Sequence, residues 1–317
     1  MNTWISSLTS SLLLGSALVG CIDSPSDGPQ LAHDEDALIG NGFTIWGWGT
    51  TQDPIGINIG PSSDRTCFLA GVAGNLNTGC QPNFCSGPYD MPSTAWVFTP
   101  YPALDHYQLV GTGGAYTNNV NQRVWYNNPV SAQATCVYAS THFDVGMVIQ
   151  SSASARIARI ADLSAGNGTV RQCFLKGLEG TDGAWNDQGH NHAWIYKATV
   201  TDGLHPTTGW YLNFDVTAGY PAPGGPNPGA PSWAHATCVD FPGGTTITSG
   251  SVWDIGGAAQ AITSGPGVKA CGLTGVQGAF NQNSWTDGAL MNFPAQIDGN
   301  WSLTVTGSKT ANWACAR

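Results

Sequence analysis

Three stretches of this sequence share one local pattern, and that repetition constrains the fold more than any other feature. Residues 65–74, 171–180 and 269–278 each read basic residue, any residue, Cys, any, Leu, any, Gly, Val or Leu, any, Gly. Cys, Leu and the first Gly recur at every second position, so they share one face of a β-strand. The first Gly favours a bulge or a close approach of backbone, and the second favours a turn. The pattern therefore predicts a β unit that occurs three times.

A second cysteine closes each copy, at the end of a stretch that begins with alanine: 132–136, 234–238 and 311–315. Joining opening to closing cysteines, and the remaining two to each other, predicts four disulfides: Cys67–Cys136, Cys173–Cys238, Cys271–Cys315 and Cys80–Cys85. Each long bridge should stabilise its unit by about 2–4 kcal/mol. Metal-binding thiolates are the competing interpretation, but the sequence contains no Cys-x-x-Cys.

Further short strands between the cysteines set the bounds of the units. Each copy continues with an Ala-Trp or related strand, as at 95–97, and an aromatic-x-Leu strand, as at 210–212. Charged residues make up only 9% of the chain and there are 42 glycines, which favours strands joined by tight turns over long helices. The predicted repeats are 43–140, 141–242 and 243–317.

Units of about 100 residues suit small antiparallel sandwiches or barrels. The sequence therefore predicts an all-β fold of three antiparallel β-sandwich- or barrel-like repeats, stapled by disulfides. Whether the repeats follow one another in tandem or surround a pseudo-threefold axis stays open.

The first twenty residues, MNTWISSLTSSLLLGSALVG, have the pattern of a removable export signal. The apolar core from Leu12 to Val19 is too short to span a bilayer. The segment ends in Leu18-Val19-Gly20-Cys21, which resembles the lipobox of bacterial lipoproteins, although no Lys or Arg precedes it. The resemblance implies lipidation of Cys21 and anchoring in the outer membrane or at the cell surface. The alternative is an ordinary secretory signal.

The stretch after the lipobox, 21–42, is polar and acidic and lacks apolar periodicity, so we expect a flexible tether. The formal net charge of the whole chain is −10. Such a charge argues against nucleic acid as a partner, and against an anionic membrane surface.

Three clusters of aromatic and amide side chains are candidate ligand sites. A Trp or Tyr ring can stack on the C–H face of a sugar while neighbouring amides bind its hydroxyls. The candidate ligand-binding residues are Trp125, Tyr126, Asn127, Trp185, Asn186, Asp187, Trp194 and Trp285. Accompanying asparagines are Asn118, Asn119, Asn121, Asn128, Asn281 and Asn283. The competing interpretation assigns the tryptophans to the core and the asparagines to ordinary turns.

A catalytic centre is less well indicated. His190 and His192 are two residues apart, so on a strand they would share a face and could bind zinc, with Asp187, His205 or His235 as third ligand. A polar loop that enters a strand explains the same residues. The sequence has no Gly-x-Ser-x-Gly, His-Glu-x-x-His or P-loop motif, and no spacing selects a pair of carboxylates. The catalytic residues stay unknown, and no cofactor other than zinc is indicated.

The repeated unit, carried by Cys67, Leu69, Gly71, Gly74 and their counterparts, resembles modules of bacterial surface and pilus-tip adhesins and of phage tail fibres. The resemblance implies a scaffold that binds a glycan or a cell-surface receptor. Three hypotheses follow: a non-catalytic surface lipoprotein of this kind, a secreted hydrolase with a site near His190, and a structural envelope protein.

Overall fold

A computed structural model describes most of the chain from Asn41 onward. The described residues are 41–48, 56–63, 65–77, 91–98, 106–118, 120–126, 128–138, 142–151, 156–164, 166, 168–181, 183–216, 232–262, 267–268, 270–294 and 300–317. The export signal, the lipobox Cys21 and the expected Cys80–Cys85 bridge lie outside them. The first strand begins at Asn41, within the stretch predicted as tether.

Every regular element in the described residues is a β-strand, so the fold is all-β. The first segment of the chain contains β1 (Asn41–Trp48), β2 (Ile57–Pro61), β3 (Arg65–Gly74), β4 (Ser93–Phe98), β5 (His106–Thr112), β6 (Ala115–Thr117), β7 (Arg123–Trp125) and β8 (Pro129–Tyr138). The second contains β9 (His142–Ser151), β10 (Arg156–Ala161), β11 (Val170–Gly180), β12 (His192–Ala198), β13 (Gly209–Asp215) and β14 (Ser232–Phe241). The third contains β15 (Ile247–Trp253), β16 (Gln260–Ala261), β17 (Ala270–Gln277), β18 (Gly288–Asn292), β19 (Ser302–Val305) and β20 (Thr310–Ala316).

The described strands form three antiparallel six-stranded sheets and one two-stranded hairpin, β6-β7. Sheet I has the order β1-β8-β3-β18-β19-β16, sheet II β2-β5-β4-β11-β14-β9, and sheet III β10-β13-β12-β17-β20-β15. Each sheet joins three strands of one segment to three strands of another. Sheet I combines the first and third segments, sheet II the first and second, and sheet III the second and third.

Each segment contributes strands to two sheets that pack against each other. In the first segment, β8 of sheet I packs on β4 and β5 of sheet II. The side chains between these layers are apolar and buried, including Leu69, Val72, Val97 and Leu109. One hydrophobic core runs through all three segments, so the segments do not form separate cores.

Three disulfides join the opening strand of a segment to its closing strand: Cys67–Cys136, Cys173–Cys238 and Cys271–Cys315. They are the three long pairs expected from the sequence. In every case the two cysteines are direct partners in the strand register. Their sulfurs are buried in the common core, which places them in a structural role.

A bulge interrupts each opening strand at the repeated glycine. The register shifts lie between Leu69 and Gly71, Leu175 and Gly177, and Leu273 and Gly275. A Cβ added to Gly177 would lie 2.4 Å from Cδ1 of Trp96, and one added to Gly275 would lie 2.6 Å from Cδ1 of Trp194. These glycines therefore let an indole ring from another segment lie across the opening strand.

The opening strands β3, β11 and β17 pack together at the centre of the molecule. Phe68 and Phe174 stack there with ring centroids 3.9 Å apart. The residue at the matching position of β17 is Gly272, where an added Cβ would lie 2.4 Å from the Phe68 ring. The glycine on β17 thus leaves room for the two phenylalanine rings.

The strand register defines two ends of the molecule. The disulfides lie near one end, which we call the disulfide end. The opening strands terminate at the other, the loop end, at Gly74, Gly180 and beyond Gln277. Strand β1 begins opposite Cys136, so the chain enters the fold at the disulfide end.

Candidate functional site

The connections that carry all three predicted clusters lie at the loop end. One cluster falls in the β6-β7 hairpin region, which follows β5 and is held by the bridge between Met91 and Ala115. The second falls between β11 and β12, and the third between β17 and β18. The fold therefore brings stretches that are distant in sequence to the same end of the sheets.

Asparagine side chains from the three segments are joined by hydrogen bonds at this end. Asn281 Nδ2 donates to Asn186 Oδ1 at 2.7 Å, and Asn75 Nδ2 donates to Asn283 Oδ1 at 2.9 Å. Gln282 Nε2 donates to Asn281 Oδ1 at 2.9 Å. We call these five residues the amide cluster. Asn75 follows the opening strand of the first segment directly, and the sequence analysis missed it.

Backbone contacts fix the amide cluster in place. Asn75 and Asn281 form an isolated antiparallel bridge. The Leu76 N–H donates to the Phe280 carbonyl at 2.7 Å, and the Phe280 N–H donates to the Trp185 carbonyl at 2.9 Å. The exposed amides of Asn186 and Asn283 therefore lie on a hydrogen-bonded backbone where the three segments meet.

Trp185 has a different role from the one the sequence suggested. Its side chain is 0% exposed and packs on Phe280 and Phe214, with ring centroids 5.3 Å and 6.0 Å away. Its Nε1 donates to the Glu179 carbonyl at 3.4 Å. A fully buried indole offers no face to a ligand, so Trp185 supports the loop and leaves ligand contact to the neighbouring Asn186.

Asp187 and His190 form an exposed pair beside the amide cluster. Asp187 Oδ2 lies 2.8 Å from His190 Nδ1, and Asp187 Oδ1 accepts a hydrogen bond from the Gly189 N–H at 2.8 Å. The hydrogen bond from His190, followed by that from Gly189, lowers the pKa of Asp187. The same contact with Asp187 raises the pKa of His190. The pair holds the turn together, and the lowered pKa keeps Asp187 ionised at neutral pH.

His192 and Trp194 follow on β12 with their rings stacked, centroids 4.3 Å apart. His192 Nδ1 lies 2.8 Å from the His190 carbonyl oxygen, so Nδ1 is the donor and Nε2 is left as an acceptor in the neutral ring. Trp194 is half-buried and lies over Gly275. This ring, unlike that of Trp185, stays accessible at the surface.

The histidines do not gather around a common point. His205 lies in the β12–β13 connection at the disulfide end, bonded to Asp202 and to the Tyr196 hydroxyl. His235 is buried against Glu179, 3.2 Å away, and stacks on Trp96. Within the described residues no group of three or more His, Cys, Asp or Glu side chains could hold a metal ion.

The remaining predicted residues are only partly described. Tyr126 packs near Tyr116, with centroids 5.2 Å apart, in the β6-β7 region. Asn118 Oδ1 accepts the N–H groups of Val120 and Gln122, so this side chain shapes the hairpin turn. Asn119, Asn127 and the side chain of Trp125 lie outside the described residues. Trp285 is half-buried in the connection that carries Asn283.

Buried charges that the sequence did not reveal support the frame. Arg171, the basic residue of the repeated pattern, binds Asp240 through two hydrogen bonds of 2.6 and 2.7 Å. Lys309 Nζ lies 2.9 Å from Asp287 Oδ1 beneath the loop end, and burial lowers the pKa of Lys309. The two members of each pair lie on different strands or connections, so the pairs can be identified only once the strand register is known.

Comparisons with known protein families and with curated proteins found no match for this chain. In the part of the chain that the structure describes, no helix has the length and apolar character needed to cross a membrane.

Proposed function

We propose that this protein is a non-catalytic, exported surface lipoprotein that binds a glycan through its loop end. The observation that carries the proposal is the amide cluster at the meeting point of the three segments. Side-chain hydrogen bonds join Asn186 to Asn281 and Asn75 to Asn283, and a backbone bridge joins Asn75 to Asn281. A carboxamide offers both a donor and an acceptor, which matches a sugar hydroxyl in either role.

The charge of the site favours a neutral ligand. The amide cluster itself carries no ionisable group. Its neighbour Asp187 is ionised at neutral pH, because hydrogen bonds lower its pKa. A carboxylate at this position repels anionic ligands, whereas sugar hydroxyls can donate to it. A neutral glycan therefore fits better than a phosphorylated or sulfated one.

The chain enters the fold at the disulfide end, where β1 begins, and the proposed site lies at the loop end. We propose that Cys21 is lipidated and that residues 21–40 connect this anchor to β1. We also propose that the three segments are copies of one unit, because each contributes the same strand order and one disulfide of the same kind to the sheets.

A glycan array probed with the labelled mature protein tests the binding proposal. We expect binding that is lost in the Asn186→Ala/Asn281→Ala double variant. Asn292→Ala is the matched control, because Asn292 is an exposed amide on β18 that bonds Ser302 and Thr304 away from the loop end. Binding to no glycan, or equal binding by the double variant, would overturn the proposal.

Metabolic labelling with palmitate tests the anchor. We expect the wild-type chain, expressed in a bacterial host, to take up the label and to fractionate with membranes. The Cys21→Ala variant should take up none. Uptake by that variant, or none by the wild type, would remove the lipoprotein assignment without touching the glycan proposal.

A further inference from the structure

One face of sheet III presents two parallel rows of polar and aromatic side chains. Directly paired residues of adjacent antiparallel strands point to the same face. The first row crosses five strands as Asn213, Trp194, Gly275, Asn312 and Ser251. The second lies one step nearer the loop end as Asp215, His192, Gln277, Thr310 and Trp253. We call these ten residues the open face.

Apart from Gly275, every residue of the open face is half-buried or exposed, and Trp253 is 63% exposed. Adjacent strands lie about 4.8 Å apart, so a row across five strands spans about 19 Å. The face is therefore longer than a single sugar ring. It also adjoins the loop end, because Gln277 Nε2 donates to the Gly189 carbonyl at 2.9 Å.

The matching rows of the other two sheets offer no open amide among their described residues. In sheet II the row through Gly177 contains Trp96 and His235, and the row beside it contains Thr94, Glu179 and Trp233. Trp96 and Trp233 are half-buried, and the other three side chains are buried. In sheet I the row through Gly71 contains Leu290 and the buried Gln133. Among the described rows, sheet III alone combines open amides with accessible aromatic rings.

The chemistry of the open face suits a neutral chain of sugars. Two indole rings, Trp194 and Trp253, can each pack on the apolar face of a pyranose. Amide and hydroxyl groups lie between them: Gln277, Thr310, Asn312 and Ser251. Asp215 is the sole carboxylate of the ten residues, and no Lys or Arg is present, so nothing on the face recognises a phosphate or sulfate.

Two acceptors on this face have no partner within the described residues, His192 Nε2 and Asn213 Oδ1. Both belong to half-buried side chains but are themselves covered. A ligand hydroxyl would reach them only if these side chains changed rotamer. Unsatisfied buried acceptors are costly, so an added O–H donor would be favourable.

We propose that the open face of sheet III binds a linear neutral oligosaccharide that extends across the strands from the loop end. This inference rests on the proposed glycan-binding function and specifies its ligand class. Sugar rings stack on Trp194 and Trp253, and the hydroxyls between them bond with Asn312, Gln277 and Thr310.

Calorimetric titration with defined probes tests the proposal on the purified mature protein. The probes are linear hexasaccharides of glucose, mannose and N-acetylglucosamine, with the three monosaccharides for comparison. We expect at least one hexasaccharide to bind at least tenfold more tightly than its monosaccharide. Trp253→Ala and Asn312→Ala should each weaken that hexasaccharide about tenfold, a change of about 1.4 kcal/mol.

Controls separate this inference from the proposed function. Trp253 is largely exposed, so its replacement should leave the thermal midpoint unchanged. Trp233→Ala, on the matching sheet II row, should leave the affinity unchanged. Affinity that does not depend on oligosaccharide length would overturn the open-face proposal. So would affinity that Trp253→Ala leaves unchanged while Asn186→Ala/Asn281→Ala abolishes array binding. Either result would keep the loop-end site. An array with no bound glycan would overturn both.

Discussion

Sheets II and III place a tryptophan over the same glycine of the repeated pattern, yet the surroundings of the two rings differ. Trp96 lies over Gly177 and stacks on His235, which is buried against Glu179. Trp194 lies over Gly275 with the half-exposed Asn213 and Asn312 on either side of it in the sheet. The shared backbone therefore fixes where the ring lies, while the sequence around it decides whether the polar side chains beside the ring are buried or partly exposed.

The disulfides test whether the two sheets depend equally on their covalent links. Removing Cys173–Cys238 of sheet II by a double Cys→Ala replacement should lower the free energy of unfolding by about 4 kcal/mol. Removing Cys271–Cys315 of sheet III should cost about 0.3 kcal/mol less, because it spans 44 residues where the other spans 65. Urea unfolding of both variants measures the costs. A sheet III loss that clearly exceeds the sheet II loss would contradict the chain-entropy explanation.

The next largest loss of stability is expected at Glu179, whose equivalent in sheet III is Gln277. Glu179→Ala leaves the buried His235 without its partner and should cost about 2–3 kcal/mol. Gln277→Ala, the equivalent change on the open face, should cost less than about 0.5 kcal/mol. Thermal unfolding at one pH compares the two. Equal losses would show that the sheet III row is as structural as the sheet II row.

Replacing the repeated glycine should also destabilise the protein more in sheet II than in sheet III. Gly177→Ala places a Cβ against Trp96, whose other contacts are buried, and should cost about 2 kcal/mol. Gly275→Ala displaces Trp194, which can turn toward solvent, and should cost about 1 kcal/mol while weakening oligosaccharide binding. Unfolding and titration experiments on both variants separate these effects. Undiminished binding by Gly275→Ala would argue against a role for the Trp194 ring.

The smallest effect concerns the exposed Asp187–His190 pair, which precedes β12 of sheet III. Asp187 raises the pKa of His190 above its ordinary 6.5, so the imidazolium is stabilised in the folded state. That stabilisation is complete below pH 6.5 and is lost as the pH rises through the higher folded-state value. Asp187→Asn should return the His190 midpoint to about 6.5, as followed by NMR of the ring protons. A midpoint that does not move would exclude Asp187 as the cause.

The sequence was sufficient to predict the all-β class and the three described disulfides, because alternation and paired cysteines are local or countable signals. It could not predict that each segment divides its strands between two sheets. A period-two pattern shows which face of a strand is buried, but it does not identify the strand alongside. The open face and the Glu179–His235 pair both depend on that missing information.

Individual aromatic residues show the same limit. Trp185 and Trp194 looked alike as candidates, but Trp185 occupies a turn at φ 54° and points into the core. Trp253 was overlooked, although a signal for it exists. It shares one face of β15 with Ser249 and Ser251, and a tryptophan on the polar face of a strand is expected to be exposed to solvent.

The division of each segment between two sheets has a consequence for biosynthesis. Strand β3 of the first segment pairs with β18 of the third, and β12 of the second pairs with β17. Both pairings join strands that are distant in sequence, so neither can form until the third segment has been synthesised. Until then the edges of β3 and β12 lack these partner strands, and non-local pairing of this kind slows folding.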